Sequence, residues 1–328
     1  MYVVTGGAGF IGSNIAAAIE ERGLGKVVIC DWLEDGDKWR NLAKRELAEI
    51  IDPDELVYFL DDHKDDLKGI IHMGAISSTT ETDADLIYSN NFGLSLDLWH
   101  WCAEHHVPFI YASSAATYGD GSHGFVDDPA IDALAKLRPL NPYGWSKHLF
   151  DRRVMRMLED KELKPPQWAG LKFFNVYGPN EYHKGSMQSV ASKVFSDANE
   201  GKTATLFKSH HPDYADGGQL RDFVWVGDCV DIVLWLLENP EVSGLFNCGT
   251  GQARSFHDLV SAVYQAMGKE TDITFVPTPE EIRDKYQYFT QADMNRLKAA
   301  GYGKPFTSLE DGINAYVGDF LAASDRYK

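Results

Sequence analysis

The sequence predicts an α/β protein: a doubly wound parallel sheet with a smaller α/β domain attached. Three observations predict it. Short β-branched runs alternate with helical stretches through the first half of the chain. A glycine-rich turn joins the first run to the first helix. Small and hydroxylated residues then recur where successive strands should end. Such alternation gives a parallel sheet covered on both faces. Ligands of these sheets collect beyond the carboxyl ends of the strands.

The elements follow in order. Residues 2–5 read as a short buried strand and residues 13–22 as a helix with Ile15, Ala16 and Ile19 on one face. Gly23 sits where a helix C-terminal glycine belongs. Residues 26–31 form a second β-branched strand, ending at Asp31. Between the first strand and helix lies Thr5-Gly6-Gly7-Ala8-Gly9-Phe10-Ile11-Gly12. Strand, glycine turn, helix, strand and acidic residue, in that order, point to a dinucleotide-binding (Rossmann-type) unit. Glycines let the backbone approach a pyrophosphate, and the helix N-terminus supplies unpaired N–H groups. The competing reading is a βα turn that needs small residues only for packing.

Residues 69–75 read as a strand entering a small-residue turn, and 86–104 as a helix with Leu94, Leu98 and Trp101 at helical spacing. Residues 107–114 read as a strand ending in Ser113-Ser114, and 171–176 as the next strand, after a helix that carries Tyr143. The predicted dinucleotide-binding domain is 1–174 with a return segment at about 221–243, and the substrate-side domain is 175–220 and 244–328. Residues 210–218 read as an exposed polar loop. Their two histidines lack a full metal-ligand set.

Composition narrows the function class. The chain has 328 residues, 44% of them hydrophobic, enough for a sizeable core. A net charge of −18 disfavours nucleic acid and anionic membrane as partners. No apolar run reaches the about 18 residues of a membrane span. No leader precedes the first strand, and Cys30, Cys102, Cys229 and Cys248 form no C-x-x-C pair. The expectation is a cytoplasmic protein with buried free thiols.

Tyr143-Gly144-Trp145-Ser146-Lys147 places a phenol and an ammonium four residues apart, on one helix face. A nearby ammonium favours phenolate, so the expectation is a lowered Tyr143 pKa and a general acid/base. Alone the pattern is weak; after a dinucleotide fingerprint it gains force.

Further stretches carry a resemblance: Ser113-Ser114-Ala115-Ala116-Thr117-Tyr118-Gly119, Phe174-Asn175-Val176-Tyr177-Gly178-Pro179, Arg221-Asp222-Phe223-Val224 and Phe246-Asn247-Cys248-Gly249-Thr250-Gly251. With 5–12 and 142–147, they make the chain similar, over nearly its full length, to the extended short-chain dehydrogenase/reductases that act on nucleotide sugars. The resemblance implies that Ser114 hydrogen-bonds the reacting hydroxyl, that Tyr143 exchanges its proton, and that Lys147 binds the nicotinamide ribose. Dehydratases of this family carry an Asp-Glu pair where Ala115-Ala116 stand here, so elimination lacks its acid. Residues 74–81, 181–187 and 286–293 resemble the branch that epimerises ADP-heptoses at C6. UDP-sugar 4-epimerisation is the alternative, and a non-catalytic nucleotide sensor a more distant one.

What this resemblance implies is a 6-keto intermediate, with Tyr143 serving one sugar face and Lys184 the other. On bare sequence Lys184 is equally a diphosphate ligand. Cofactor contacts are implied at Gly6, Gly9, Phe10, Ile11, Gly12, Asp31, Trp32, Lys38, Met73, Gly74, Ala75, Ile76, Ser77, Asn90, Lys147, Val176 and Lys184. Substrate contacts are implied at Asn175, Ser186, Lys193, Phe207, Lys208, Ser209, His210, Arg221 and Tyr286. Arg221 either clamps phosphate or makes a structural pair with Asp222 or another carboxylate. Asp31 favours NAD, whereas Lys38 is placed to meet a 2′-phosphate, and the resemblance favours NADP. Pro53, Trp32, Met73 and Lys193 depart from the family's usual residues. The resemblance also implies a homo-oligomer, a pentamer among the forms, and a place in lipopolysaccharide heptose supply.

Overall fold

The computed structural model describes residues 1–283 and 287–328; Tyr286 lies outside the described residues. Twelve strands occur among the described residues: β1 (Tyr2–Thr5), β2 (Val27–Cys30), β3 (Glu49–Ile51), β4 (Gly69–His72), β5 (Phe109–Ser114), β6 (Trp168–Phe173), β7 (Asn175–Tyr177), β8 (Ala204–Phe207), β9 (Leu220–Trp225), β10 (Gly244–Cys248), β11 (Ala253–Ser255) and β12 (Ile273–Val276). Seven form one parallel sheet in the order β10-β6-β5-β4-β1-β2-β3. The expected α/β parallel sheet is therefore present. Strands β1, β2 and β4 are buried at every position, without alternation. That is the pattern of strands covered on both faces.

Chain order runs one way through β1-β2-β3 and the other way through β4-β5-β6. The reversal opens a crevice between β1 and β4, where ligands of open α/β sheets bind. Helix Phe10–Glu21 packs against helix Val226–Glu238, and helix Pro142–Glu159 packs on β5. Pro142 stands in the first turn of the latter, and Asn141 caps it by accepting the Gly144 N–H at 2.8 Å. Both residues start that helix where Tyr143 must be placed.

The outer strands differ from the sequence expectation. Strand β10 belongs to the large sheet, paired with β6 from Gly244↔Ala169 to Cys248↔Phe173, and not to the smaller unit. All five of its residues are buried, which an edge under helical cover allows. Strand β9, expected to return to the first domain, instead sits between β11 and β7 in a three-stranded sheet. Val224 of β9 still packs into the core of the large domain, and the helix that follows packs on helix Phe10–Glu21. Strands β8 and β12 form a separate parallel pair. A second, smaller core gathers Tyr177, Val194, Leu206, Phe223, Val263 and Ile313, apart from the core around the large sheet.

The helix expected over 86–104 is continuous only in part. It runs as Ala84–Ile87, a π-turn at Tyr88–Gly93, and Leu94–Glu104. Such wide turns often mark functional positions, and this one carries Asn90 and Asn91. The four cysteines are free and buried, as expected.

Candidate active site

The glycine turn after β1 fits a pyrophosphate. Gly6 has φ +60, and a Cβ there would come within 2.6 Å of the Gly74 backbone. A Cβ on Gly12 would stand 2.3 Å from the Gly6 carbonyl oxygen. Only glycine lets the two strand ends and the helix start approach this closely. Gly9 is the N-cap of helix Phe10–Glu21 and offers no side-chain cap, so the first-turn N–H groups remain for a ligand.

Asp31, just past β2, accepts the Ala8 N–H at 2.9 Å and the Lys38 ammonium at 2.8 Å. Lys38 also donates to the Trp32 carbonyl at 2.8 Å, and the Trp32 side chain is exposed. Lys38 is thus held on Asp31 rather than free in a solvated loop. Across the crevice, Met73 donates its N–H to the Thr5 carbonyl at 3.0 Å, and Gly74 donates to Thr5 Oγ1 at 3.2 Å. Met73, Gly74, Ala75 and Ile76 are half-buried there, and Ser77 is exposed.

Asn91, not Asn90, grips this turn. Its amide accepts the Ile76 N–H at 2.8 Å and donates to the Ile76 carbonyl at 2.9 Å. It also donates to Ser146 Oγ at 3.1 Å, on the helix of Tyr143. Asn90 turns back to the Leu86 carbonyl of its own helix. The wide π-turn decides which of two adjacent asparagines faces inward, and spacing alone could not.

Ser114 ends β5 and accepts the Ala116 N–H at 3.1 Å, starting the 3-10 turn Ala115–Tyr118. Tyr143 and Lys147 follow on helix Pro142–Glu159, with Lys147 2% exposed. Burial pushes the Tyr143 phenol above its ordinary value, and the Ser114 hydroxyl bonded to it pulls the other way. The expected lowering of Tyr143 is therefore reversed in the chain by itself: desolvation outweighs stabilisation of the phenolate. Burial pulls the Lys147 ammonium down to about 8, against an opposing pull from Asp151.

Lys184 lies on the turn Tyr182–Met187, which kinks at Gly185. Its ammonium stands 5.2 Å from the ring of Phe10, the first residue of the helix after the glycine turn. Burial lowers its pKa, Glu181 opposes this and Lys193 reinforces it. Three asparagines lace the segment to the cradle. Asn14 donates to the Pro179 carbonyl at 3.0 Å, Asn41 to the Asn180 carbonyl at 3.1 Å and the Ala8 carbonyl at 2.8 Å, and Asn180 to Ser13 Oγ at 3.0 Å. None of the three stands out by sequence, because each acts on backbone or side chains far along the chain.

The remaining predicted contacts lie on the smaller unit. Asn175 is exposed and Val176 half-buried on β7, beside β9. Lys193 is exposed and donates to the Ser186 carbonyl at 2.6 Å. Arg221 on β9 lies 5.5 Å from the Phe256 ring. Asp222 instead binds Thr250 and Gly251 N–H groups at 2.8 and 2.9 Å, and Ala292 N–H at 2.9 Å. It organises the turn after β10. Phe207 ends β8, and Lys208, Ser209 and His210 follow. The loop beyond is largely exposed, as expected, and is folded on His211, Tyr214 and Tyr288 rings 5.2 to 5.3 Å apart. No metal-ligand cluster occurs among the described residues.

Comparison with known proteins gives consistent results. The pattern defining the NAD dependent epimerase/dehydratase family matches residues 2–249. An ADP-L-glycero-D-manno-heptose-6-epimerase of Nitratidesulfovibrio vulgaris (strain DP4) is 49% identical over 329 residues, covering 100% of both chains. One from Fusobacterium nucleatum subsp. nucleatum is 46% identical over 335 residues, again with 100% of both covered. Among solved structures, the Helicobacter pylori ADP-L-glycero-D-manno-heptose-6-epimerase superposes with a TM-score of 0.79 at 28% identity, covering 98% of this chain and 96% of that one. The Thermus thermophilus UDP-glucose 4-epimerase in complex with NAD gives 0.76 at 26% identity, with 98% and 99% covered.

Proposed function

We propose, from the premise that the chain belongs to the NAD dependent epimerase/dehydratase family, that it epimerises ADP-D-glycero-β-D-manno-heptose at C6 to ADP-L-glycero-β-D-manno-heptose. The observation that carries this reading is full-length identity of 49% with a heptose 6-epimerase, in a chain that keeps Ser114, Tyr143, Lys147 and Lys184. UDP-sugar 4-epimerases share the fold at 26% identity, and the reading does not favour them.

A nicotinamide dinucleotide, bound in the crevice, supplies a two-electron acceptor that takes up and returns the electrons of one C–H bond. The chain provides the rest. Gly6, Gly9 and Gly12 admit the pyrophosphate, and Asn91 holds the Met73–Ser77 backbone against the other wall of the crevice. Lys38, anchored on Asp31, brings a cation to the ribose side and supports NADP over NAD. In this reading Phe10, Ile11, Trp32 and Val176 contact the same cofactor.

At the sugar, Ser114 orients the C6 hydroxyl and Tyr143 takes its proton, giving a transient 6-keto sugar. The ketone turns and is reduced from its other face, where Lys184 returns the proton. There is no net redox change. Burial lowers the Lys184 ammonium pKa, so it gives up its proton more readily in this direction and takes it back in the reverse one. Arg221 and Lys208 bind the diphosphate, Phe207, Ser209 and His210 the nucleoside, and Asn175, Ser186, Lys193 and Tyr286 the heptose. No helix among the described residues is long and apolar enough to cross a membrane. The reading places the enzyme in the cytoplasm, as a homo-oligomer, feeding heptose to lipopolysaccharide.

The test is incubation of purified protein with ADP-D-glycero-β-D-manno-heptose and no added cofactor, with the C6 epimers resolved by chromatography. Formation of both epimers is expected. No conversion, even with NADP⁺ and NAD⁺ supplied, would overturn the heptose reading. Mass analysis of cofactor released from the same protein distinguishes NADP from NAD.

A further inference from the structure

Behind Ser114, Tyr143 and Lys147 lies a buried charged cluster to which the mechanism above assigns no role. Asp151 follows Lys147 by one helical turn, on the same face, and is 0% exposed. Its carboxylate accepts from Ser113 Oγ at 2.7 Å and from the Tyr111 hydroxyl at 3.2 Å, both on β5. It pairs with Lys172 Nζ at 2.6 Å, on β6. Lys172 is also 0% exposed, donates to Thr117 Oγ1 at 2.8 Å, and stands 5.1 Å from the Tyr118 ring. Thr117 in turn donates to the Ser114 carbonyl at 2.8 Å. One carboxylate thus ties together the strand of Ser114, the turn behind it, β6, and the helix of Tyr143 and Lys147.

We propose that Asp151 is a positioning residue for the epimerisation: it holds Ser114, Tyr143 and Lys147 in register, as the buried carboxylate that pairs with Lys172 and stands one helical turn from Lys147. The proposal rests on the epimerase reading for its rate measurements only.

Other titratable groups face the cluster, Asp127 and Asp293 towards Tyr118 and two histidines that burial keeps neutral. His72 on β4 is pulled down to about 3, by burial and then by Lys147. His148, on the same helix, is pulled down to about 4, by burial and then Lys172, with Arg152 and Arg138 adding to this and Asp151 opposing it. Tyr111 and Tyr118 are pushed up, chiefly by burial. Without Asp151, Lys172 would keep only Thr117, and Lys147 would lose the pull that opposes its burial.

The experiment follows the Lys147 ammonium in holoenzyme carrying ¹³C at the lysine ε-carbons. Its resonance is assigned by its loss in Lys147→Arg and titrated through the alkaline range. In Asp151→Asn the Lys147 midpoint should fall by about one pH unit or more. In Lys172→Met, where the carboxylate is left to Lys147, it should rise. In the double variant the two changes cancel, so the midpoint should return towards wild type and the epimerisation rate should recover relative to Asp151→Asn. If Asp151→Asn does not fold, the rise in Lys172→Met decides the matter. An unmoved Lys147 in Lys172→Met would overturn the proposal, as would rate losses in both single variants with no recovery in the double, which is what a purely structural pair gives. If wild type does not convert ADP-heptose while the Lys147 midpoints move as stated, the substrate reading falls and the role of Asp151 stands.

Discussion

The crevice side and the proposed nucleotide-sugar side of this site are built differently. In the crevice, functional side chains are held from behind. Lys147 is 2% exposed, Asn91 spans a turn and a helix, and Lys38 rests on Asp31. On the other side, Asn175, Lys193, Lys208 and His210 are exposed. There it is the backbone that is tied: Lys208 N–H to the Val276 carbonyl at 2.7 Å, His210 N–H to the Tyr288 hydroxyl at 2.9 Å. Proton exchange tolerates little misplacement, and the groups proposed for one sugar face, Ser114 and Tyr143, sit on a strand end and a capped helix. Recognition of a nucleotide and a heptose can be spread over many contacts on loops.

The difference predicts unequal responses to substitution. Tyr143→Phe should cost the most, roughly 10²- to 10⁴-fold in kcat, while bound cofactor is retained. Epimer chromatography alongside cofactor extraction checks both halves of that statement, and undiminished turnover would remove Tyr143 from the chemistry. Lys184→Ala should lower kcat by on the order of 10²-fold, again with cofactor content unchanged. Were its activity intact, Lys184 would move from the chemical to the recognition side of the comparison.

Gly12→Ala tests the crevice as architecture. Its Cβ would meet the Gly6 carbonyl oxygen at 2.3 Å, so the turn must open. We expect a loss on the order of 1–3 kcal/mol in stability and depleted cofactor, read by thermal unfolding and mass analysis.

Acid should loosen the folded chain through its buried imidazoles. His72 is held down to about 3, and His148 and His183 to about 4, chiefly by burial, from an ordinary 6.5. Below about pH 6.5 the unfolded chain binds protons that the folded chain refuses. Their contribution is thus fully present above that pH and is lost as pH falls towards 4. Asp127, pushed up to about 6 from 3.8 by burial, acts in the opposite sense over 6 to 3.8, and Asp222 and Asp228, also raised by burial, act with it. Unfolding midpoints recorded against pH should fall on the acid side, and fall less in His148→Gln.

The smallest effect belongs to the exposed side. Lys208→Ala should raise KM roughly two- to fivefold with kcat unchanged, the weight of a solvent-screened charge. A kcat loss comparable to that of Lys184→Ala would erase the distinction between the two regions.

Much of the first domain is legible without coordinates. Runs such as Tyr2-Val3-Val4-Thr5 are apolar without alternation, and glycine at 6, 9 and 12 has few structural uses besides a close turn. The positions of Ser114 and Tyr143-x-x-x-Lys147 follow, because strand ends and helix faces are local properties. Strand β3 escaped notice because it is three residues long, with two of them exposed.

Other features are decided only in three dimensions. Whether 244–248 joins the large or the small unit depends on which strand it meets, and that is β6, more than 70 residues earlier in the chain. Asn91 and Asn90 are chemically identical, and a π-turn chooses between them. The direction of the Tyr143 shift depends on how much water its neighbours exclude. Asp151 and Lys172 become a pair because the helix of Asp151 packs on β5, and β6 lies beside it. By itself the sequence determined the periodicities, the turns and the spacing within each element, since these depend on neighbours along the chain. Tertiary structure decided the pairings, the burial and hence the electrostatics, since these depend on residues that meet only when the sheet closes.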